Sequence, residues 1–147
     1  MIINAFGVRT DPGALNDWMN VTDQWDHSTG RYVLNLTAID DYPNNSVVGY
    51  DHSDGDGLSN AKKPERPPNP NRQMPVTNLD SFLNDNSAVM VQVYNSNAKA
   101  DRNGEHWVVV TGKINGEYTI LDPGFNGRTL LSAYGNAIYK AHYFSHK

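Results

Sequence analysis

The chain has 147 residues, 38% of them hydrophobic and 10% aromatic, and a formal net charge of -4. That length fits one domain with a modest core, and so mild a charge, with no Lys/Arg-rich tract and no acidic tail, argues against nucleic-acid binding. No run approaches the roughly 18 apolar residues that span a bilayer, residues 1–8 lack the basic and apolar regions of a signal peptide, and the absence of cysteine excludes disulfides, thiolate zinc sites and a thiol nucleophile together.

In chain order, Met1-Ile2-Ile3-Asn4-Ala5-Phe6 reads as the last turns of a helix, stopped by Gly7. Thr10-Asp11-Pro12 places a cap and then a proline in the first turn of a second helix. Leu15, Trp18 and Met19 give that helix one apolar face over Pro12 to Met19. Tyr32 to Tyr42 supports two assignments, a helix on Leu36 and Ile39 or a strand on Tyr32-Val33-Leu34. Residues 43–75 hold six of the eight prolines and many Asn, Asp and Gly, the composition of an irregular loop or flap within the domain.

From Val76 onward the pattern becomes regular. Thr77 or Asn78 caps a short helix whose Leu79, Phe82 and Leu83 share a face. Ala88 to Tyr94 is a strand. Trp107 to Thr111 is a second strand, apolar at consecutive positions and hence expected to be buried on both faces. Asn115-Gly116 signals a hairpin, Tyr118 to Leu121 is the returning strand, and Asp122-Pro123-Gly124 ends it. Ile138 to Phe144 suits a last strand. The fold class is therefore α+β with an antiparallel sheet, in a single domain spanning residues 1–147.

Two residues in this block could carry chemistry. His106 immediately precedes the buried strand and Asp122 immediately follows its partner. A symmetric hairpin centred near residue 114 sets 106 opposite 122, at the same end of adjacent strands and within hydrogen-bond reach. A general base and its orienting carboxylate need that geometry. A structural pair in solvent would share the same spacing. No serine or threonine opens a clear helix where a substitute nucleophile would stand.

Metal sites are weaker. His52-Ser53-Asp54-Gly55-Asp56-Gly57 has Asp at alternate positions, as in calcium loops. The first-ligand position is His52, however, and the twelfth is Lys63 where a bidentate Glu belongs, so the stretch reads as a Gly/Asp-rich turn. His27, His52, His106, His142 and His146 show no tight ligand spacing. No cofactor is expected.

Glu105-His106-Trp107-Val108-Val109-Val110-Thr111-Gly112, a short hairpin, then Tyr118-Thr119-Ile120-Leu121-Asp122-Pro123-Gly124, resembles the histidine and aspartate motifs of bacterial bacteriocin-processing-like cysteine peptidases, a papain-like family. Ala88 to Val93 resembles the strand before the histidine, Thr129 to Gly135 the segment after the aspartate, and Thr10 to Trp18 the helix that follows the nucleophile helix. The similarity is specific over Val89 to Tyr134 and looser over Gly7 to Met19. Residues 43–75 have no counterpart.

The resemblance implies a papain-like fold, an antiparallel sheet with helices packed on one side, and His106 and Asp122 as catalytic residues. In that family an oxyanion glutamine and the cysteine, at the start of a helix, precede the histidine. Here Met1 to Phe6 matches only the tail of that helix, so the first (cysteine) helix reads as truncated. Gln92 lies on the wrong side of the cysteine position to be the oxyanion glutamine.

Three readings follow. The chain is a truncated or inactive piece of a peptidase, a pseudoenzyme that binds a peptide or protein segment without cutting it, or a structural module. A shortened helix would leave apolar sheet surface open to self-association. The compartment is not legible, although a bacterial, extracytoplasmic setting is compatible with the resemblance.

Overall fold

In a computed structural model the described residues are 11–26, 33–34, 36–43, 45, 48–55, 70–84, 87–95 and 104–146. The expected helical stub at Met1 to Phe6 lies outside them.

Helix α1 spans Pro12–Thr22. Asp11 is its N-cap, accepting from the Ala14 N–H at 2.8 Å, and proline occupies the first turn, where its missing N–H is not needed. Asp23, with φ 53°, closes the helix in the left-handed conformation. Of the three apolar residues expected on one face, Met19 is buried, while Leu15 and Trp18 are half-buried. The Trp18 ring meets Tyr42 edge-on at 5.2 Å.

Tyr32 to Tyr42 contains both expected elements. Two-residue strands β1 (Trp25–Asp26) and β2 (Val33–Leu34) pair antiparallel, and a 3-10 turn follows at Leu36–Asp41.

Among the described residues the main sheet is built from β3 (Val48–Asp54), β4 (Ala88–Tyr94), β5 (Glu105–Ile114), β6 (Glu117–Leu121) and β7 (Lys140–His146). All neighbours pair antiparallel, in the order β3-β7-β4-β5-β6. β3 corrects the expectation that residues 43–75 are irregular throughout. It forms the edge of the sheet beside β7, with a bulge between Tyr50 and His52. Residues 56–69 of that loop lie outside the described residues.

The pleat separates two faces. Val89, Val91 and Val93 of β4, Val108 and Val110 of β5, Ile120 of β6 and Ala141 and Tyr143 of β7 form the larger core. Helix α2 (Asn78–Asn84) closes it with Leu79, fully buried, and with Phe82, whose ring stacks on Tyr143 at 3.9 Å. Leu131 and Ile138 complete this layer, both with no exposed surface. A side chain such as Leu or Ile buried this completely contributes about 1.5–3 kcal/mol. At the rim, Lys113 Nζ sits 3.0 Å from both Asp80 oxygens, and the Tyr118 hydroxyl lies 2.8 Å from Asp80 Oδ1, tying α2 to the β5-β6 hairpin.

The second face carries Ala88, Met90, Phe144 and Tyr50, packed with Leu36 and Ile39. Helical segments therefore lie against both faces of the sheet: α2 on one, the Leu36–Asp41 turn on the other. That differs from the expected one-sided arrangement. The reason is that Ala88 and Phe144 present apolar surface that Leu36 and Ile39 cover.

Of the run expected to be buried on both faces, Val108, Val109 and Val110 are at most 2% exposed, whereas Trp107 is half-buried and Thr111 exposed. Among the described residues, no helix is long and apolar enough to cross a membrane.

Candidate active site

The site is built by the β5-β6 hairpin. Asn115 and Gly116 form its turn with φ of 52° and 84°, the pair of positive values that matches the twist of the strands. The ladder runs Ile114↔Glu117, Lys113↔Tyr118, Gly112↔Thr119, then Val110↔Ile120 and Val109↔Leu121. One residue, Thr111, is bulged out between the two registers. Neither register sets 106 directly opposite 122, as a symmetric hairpin would. Continued past Val109↔Leu121 it brings Asp122 level with Val108, so His106 meets Asp122 on a diagonal. Diagonal neighbours on one face lie within reach of long side chains. His106 is on the same pleat face as Val108 and Val110, since it pairs with Val93 of that face.

The contact is direct. His106 Nε2 lies 2.7 Å from Asp122 Oδ1. The imidazole is 15% exposed and the carboxylate 1%, so Asp122 is a buried acceptor and His106 its gateway to solvent. Burial would remove the charge from Asp122 unless donors replaced its water. They do. Oδ1 also accepts the Gly124 N–H at 2.9 Å and the Phe125 N–H at 3.1 Å, as the carboxylate folds back on its own turn. Oδ2 accepts the Tyr134 hydroxyl. Burial pushes the Asp122 carboxyl up, and the bonds from Tyr134, Gly124 and His106 outweigh it, leaving the group below its ordinary value and ionised. Tyr134 moves the other way, pushed up to about 12 by burial and then by its bond to Asp122.

Three surfaces confine the imidazole. Phe125 meets it edge-on at 5.4 Å, and Tyr134 lies tilted beside it at 5.8 Å. The third is Gly124, where an added Cβ would come within 3.0 Å of His106 Cε1. Close packing of ring against backbone is thus one reason for glycine after Pro123. Arg128 lies over the Phe125 ring at 4.3 Å and the Tyr134 ring at 5.0 Å.

With Nε2 committed to Asp122, Nδ1 has no hydrogen-bond partner among the described residues. A neutral imidazole that donates through Nε2–H has its lone pair on Nδ1. The arrangement can therefore accept a proton at Nδ1 and stabilise the resulting imidazolium through Asp122.

The two residues expected from the sequence are thus brought together. Gln92 is not near them: it is buried on the opposite face, paired with Trp107. The expected Gly/Asp-rich turn begins inside β3, and residues 56–60 lie outside the described residues. No group of three or more His, Asp or Glu among the described residues could hold a metal ion.

Sequence reasoning missed Tyr134, Phe125 and Arg128. Tyr134 sits on a 3-10 turn, Leu131–Tyr134, after an irregular stretch that carries no periodic signal. The family resemblance takes in Thr129 to Gly135 as a segment but assigns no role to Tyr134 within it. Comparison with known proteins gives no match to a family model, a curated protein or a solved structure.

Proposed function

We propose that this chain carries the histidine–aspartate half of a papain-like cysteine peptidase site, with His106 as general base and Asp122 as its orienting carboxylate. The observation that carries the reading is the asymmetry of His106. Nε2 is held at 2.7 Å by a saturated carboxylate, and Nδ1 has no partner among the described residues. In peptide-bond hydrolysis Nδ1 would take the proton from a thiol, Asp122 would stabilise the imidazolium, and the same proton would pass to the leaving amine. This sequence contains no cysteine, so the 147 residues supply no thiol for that step. The same fact favours, as a second reading, a domain that binds a peptide or protein segment without cutting it.

The test is hydrolysis of a panel of fluorogenic peptides. The purified chain is expected to give no turnover. Mixed with a synthetic peptide that bears a glutamine and then a cysteine at the start of a helix, it should give turnover that falls by about 10²–10⁴-fold in His106→Ala, the usual contribution of a positioned general base. Turnover unaffected by His106→Ala would exclude His106 as the base. Turnover by the chain alone, abolished by the same substitution, would reveal a nucleophile other than a thiol.

A further inference from the structure

The two oxygens of Asp122 are not equivalent. Oδ1 has three donors, His106 Nε2 at 2.7 Å and the N–H groups of Gly124 and Phe125 at 2.9 and 3.1 Å. Among the described residues Oδ2 has one donor, the Tyr134 hydroxyl. The turn N–H groups hold one oxygen in place but leave the carboxylate plane free to swing about it. Tyr134 removes that freedom by fixing the second oxygen. The tyrosine is itself well anchored. It ends a 3-10 turn whose first residue, Leu131, is fully buried, and Gly135 closes that turn in the left-handed conformation at φ 67°. Arg128 covers its ring from outside, and its ring lies beside the imidazole.

We propose that Tyr134 is a positioning residue of the His106–Asp122 pair: its hydroxyl locks the Asp122 carboxylate plane, which holds the imidazole with Nε2 inward and Nδ1 outward. The inference rests on reading His106 and Asp122 as a base and its orienting carboxylate. Tyr134 does not touch the atoms that would react, so its effect reaches chemistry only through the geometry of His106. Its phenol stays protonated across the physiological range, because burial and the carboxylate push it up to about 12, and so it acts as a donor throughout.

The experiment reads the imidazole directly. In wild type the His106 Nε2–H proton should give a downfield, slowly exchanging NMR signal. Tyr134→Phe removes one oxygen and keeps the ring. It should speed exchange of that proton by at least about tenfold, the equivalent of one hydrogen bond to a charged group, with the fold retained by circular dichroism. Ser132→Ala is the control. It breaks the 2.7 Å bond from Ser132 to Glu117 on the same turn without touching the pair, and should leave the exchange rate unchanged. Asp122→Ala separates the two claims. If it leaves the Nε2–H signal as in wild type, the pair itself is not formed. If it abolishes the signal while Tyr134→Phe changes nothing, Tyr134 alone is misassigned. An equal effect from Ser132→Ala would also overturn the positioning role, since stability of the turn would then explain it. Should Tyr134→Phe not fold, a wild-type Tyr134 hydroxyl proton seen with a cross-peak to the His106 ring supports the inference, and its absence overturns it.

Discussion

Asp122→Ala is expected to destabilise the domain by about 3–5 kcal/mol, because it leaves several donors around one buried carboxylate unpaired at about 1–3 kcal/mol each. The substitution strands four donors at once: His106 Nε2–H, the Gly124 and Phe125 N–H groups and the Tyr134 hydroxyl. That cost applies to the shielded donors, while water can reach the exposed Gly124 N–H and recover part of the total. Against a whole stability of roughly 5–15 kcal/mol for a domain, the variant should be marginal. Asp122→Asn should cost less, about 1–3 kcal/mol. Its carbonyl oxygen can replace Oδ1 beneath the same three donors, and the Tyr134 hydroxyl can rotate to accept from the amide. What it loses is the charge. Urea denaturation of the three proteins checks this. Equal losses for Ala and Asn would mean that the charge, not the hydrogen-bond geometry, stabilises the turn. A loss below about 1 kcal/mol for Ala would mean that the donors find other partners.

The second large effect belongs to the opposite face of the sheet. His142 of β7 is 7% exposed. Its ring stacks under Trp107 at 5.0 Å, with Tyr50 beside it at 6.0 Å and the Tyr50 hydroxyl 3.5 Å from Nδ1. Burial, and secondarily the charge of Lys140, lower its pKa from 6.5 to about 4. Between those values the unfolded chain binds a proton at this position and the folded one does not. Stability is therefore fully present above pH 6.5 and falls as pH drops toward 4. At 1.36 kcal/mol per pH unit the loss is roughly 3 kcal/mol. Asp122 does not supply it, because its pKa is lowered from 3.8 and it titrates below this window. His142→Phe keeps a ring against Trp107 and removes the titration. Denaturation at pH 7 and pH 4.5 should show a steep decline in wild type and a much shallower one in the variant. Parallel declines would place the acid sensitivity elsewhere.

Much of the sheet was legible because its strands are apolar in runs or at alternate positions. Ala88 to Tyr94 was read with its observed bounds. Glu105–Ile114 exceeds the run that signalled it by two residues at its start, so that His106 lies within the strand, and by three at its end, where Gly112, Lys113 and Ile114 continue the ladder to the turn. Strand β3 was hidden. Its sequence, Val48-Gly49-Tyr50-Asp51-His52-Ser53-Asp54, has the composition of a loop, and only pairing with β7 makes it a strand. Edge strands are where β-propensity is least informative.

At the candidate site, His106 and Asp122 were legible from their places at the ends of two strands joined by a readable turn. Their register was not, because a bulge at Thr111 leaves no mark in composition. Nor was Tyr134, whose approach to Asp122 depends on the path of the irregular segment from Pro123 to Leu130. His142 falls in the expected last strand, Ile138 to Phe144, but nothing in the sequence marks it as buried. In the structure it lies in that strand, stacked on Trp107.

The proposal that His106 serves as a base through Nδ1 is tested most directly by the ¹⁵N spectrum of the neutral imidazole. The expected result is one tautomer, with Nε2 protonated and bonded to Asp122 and Nδ1 bearing the lone pair, and a mixture of tautomers in Asp122→Ala. Protonation at Nδ1 in wild type, or the same mixture in both proteins, would contradict the pairing of His106 with Asp122 as general base and orienting carboxylate.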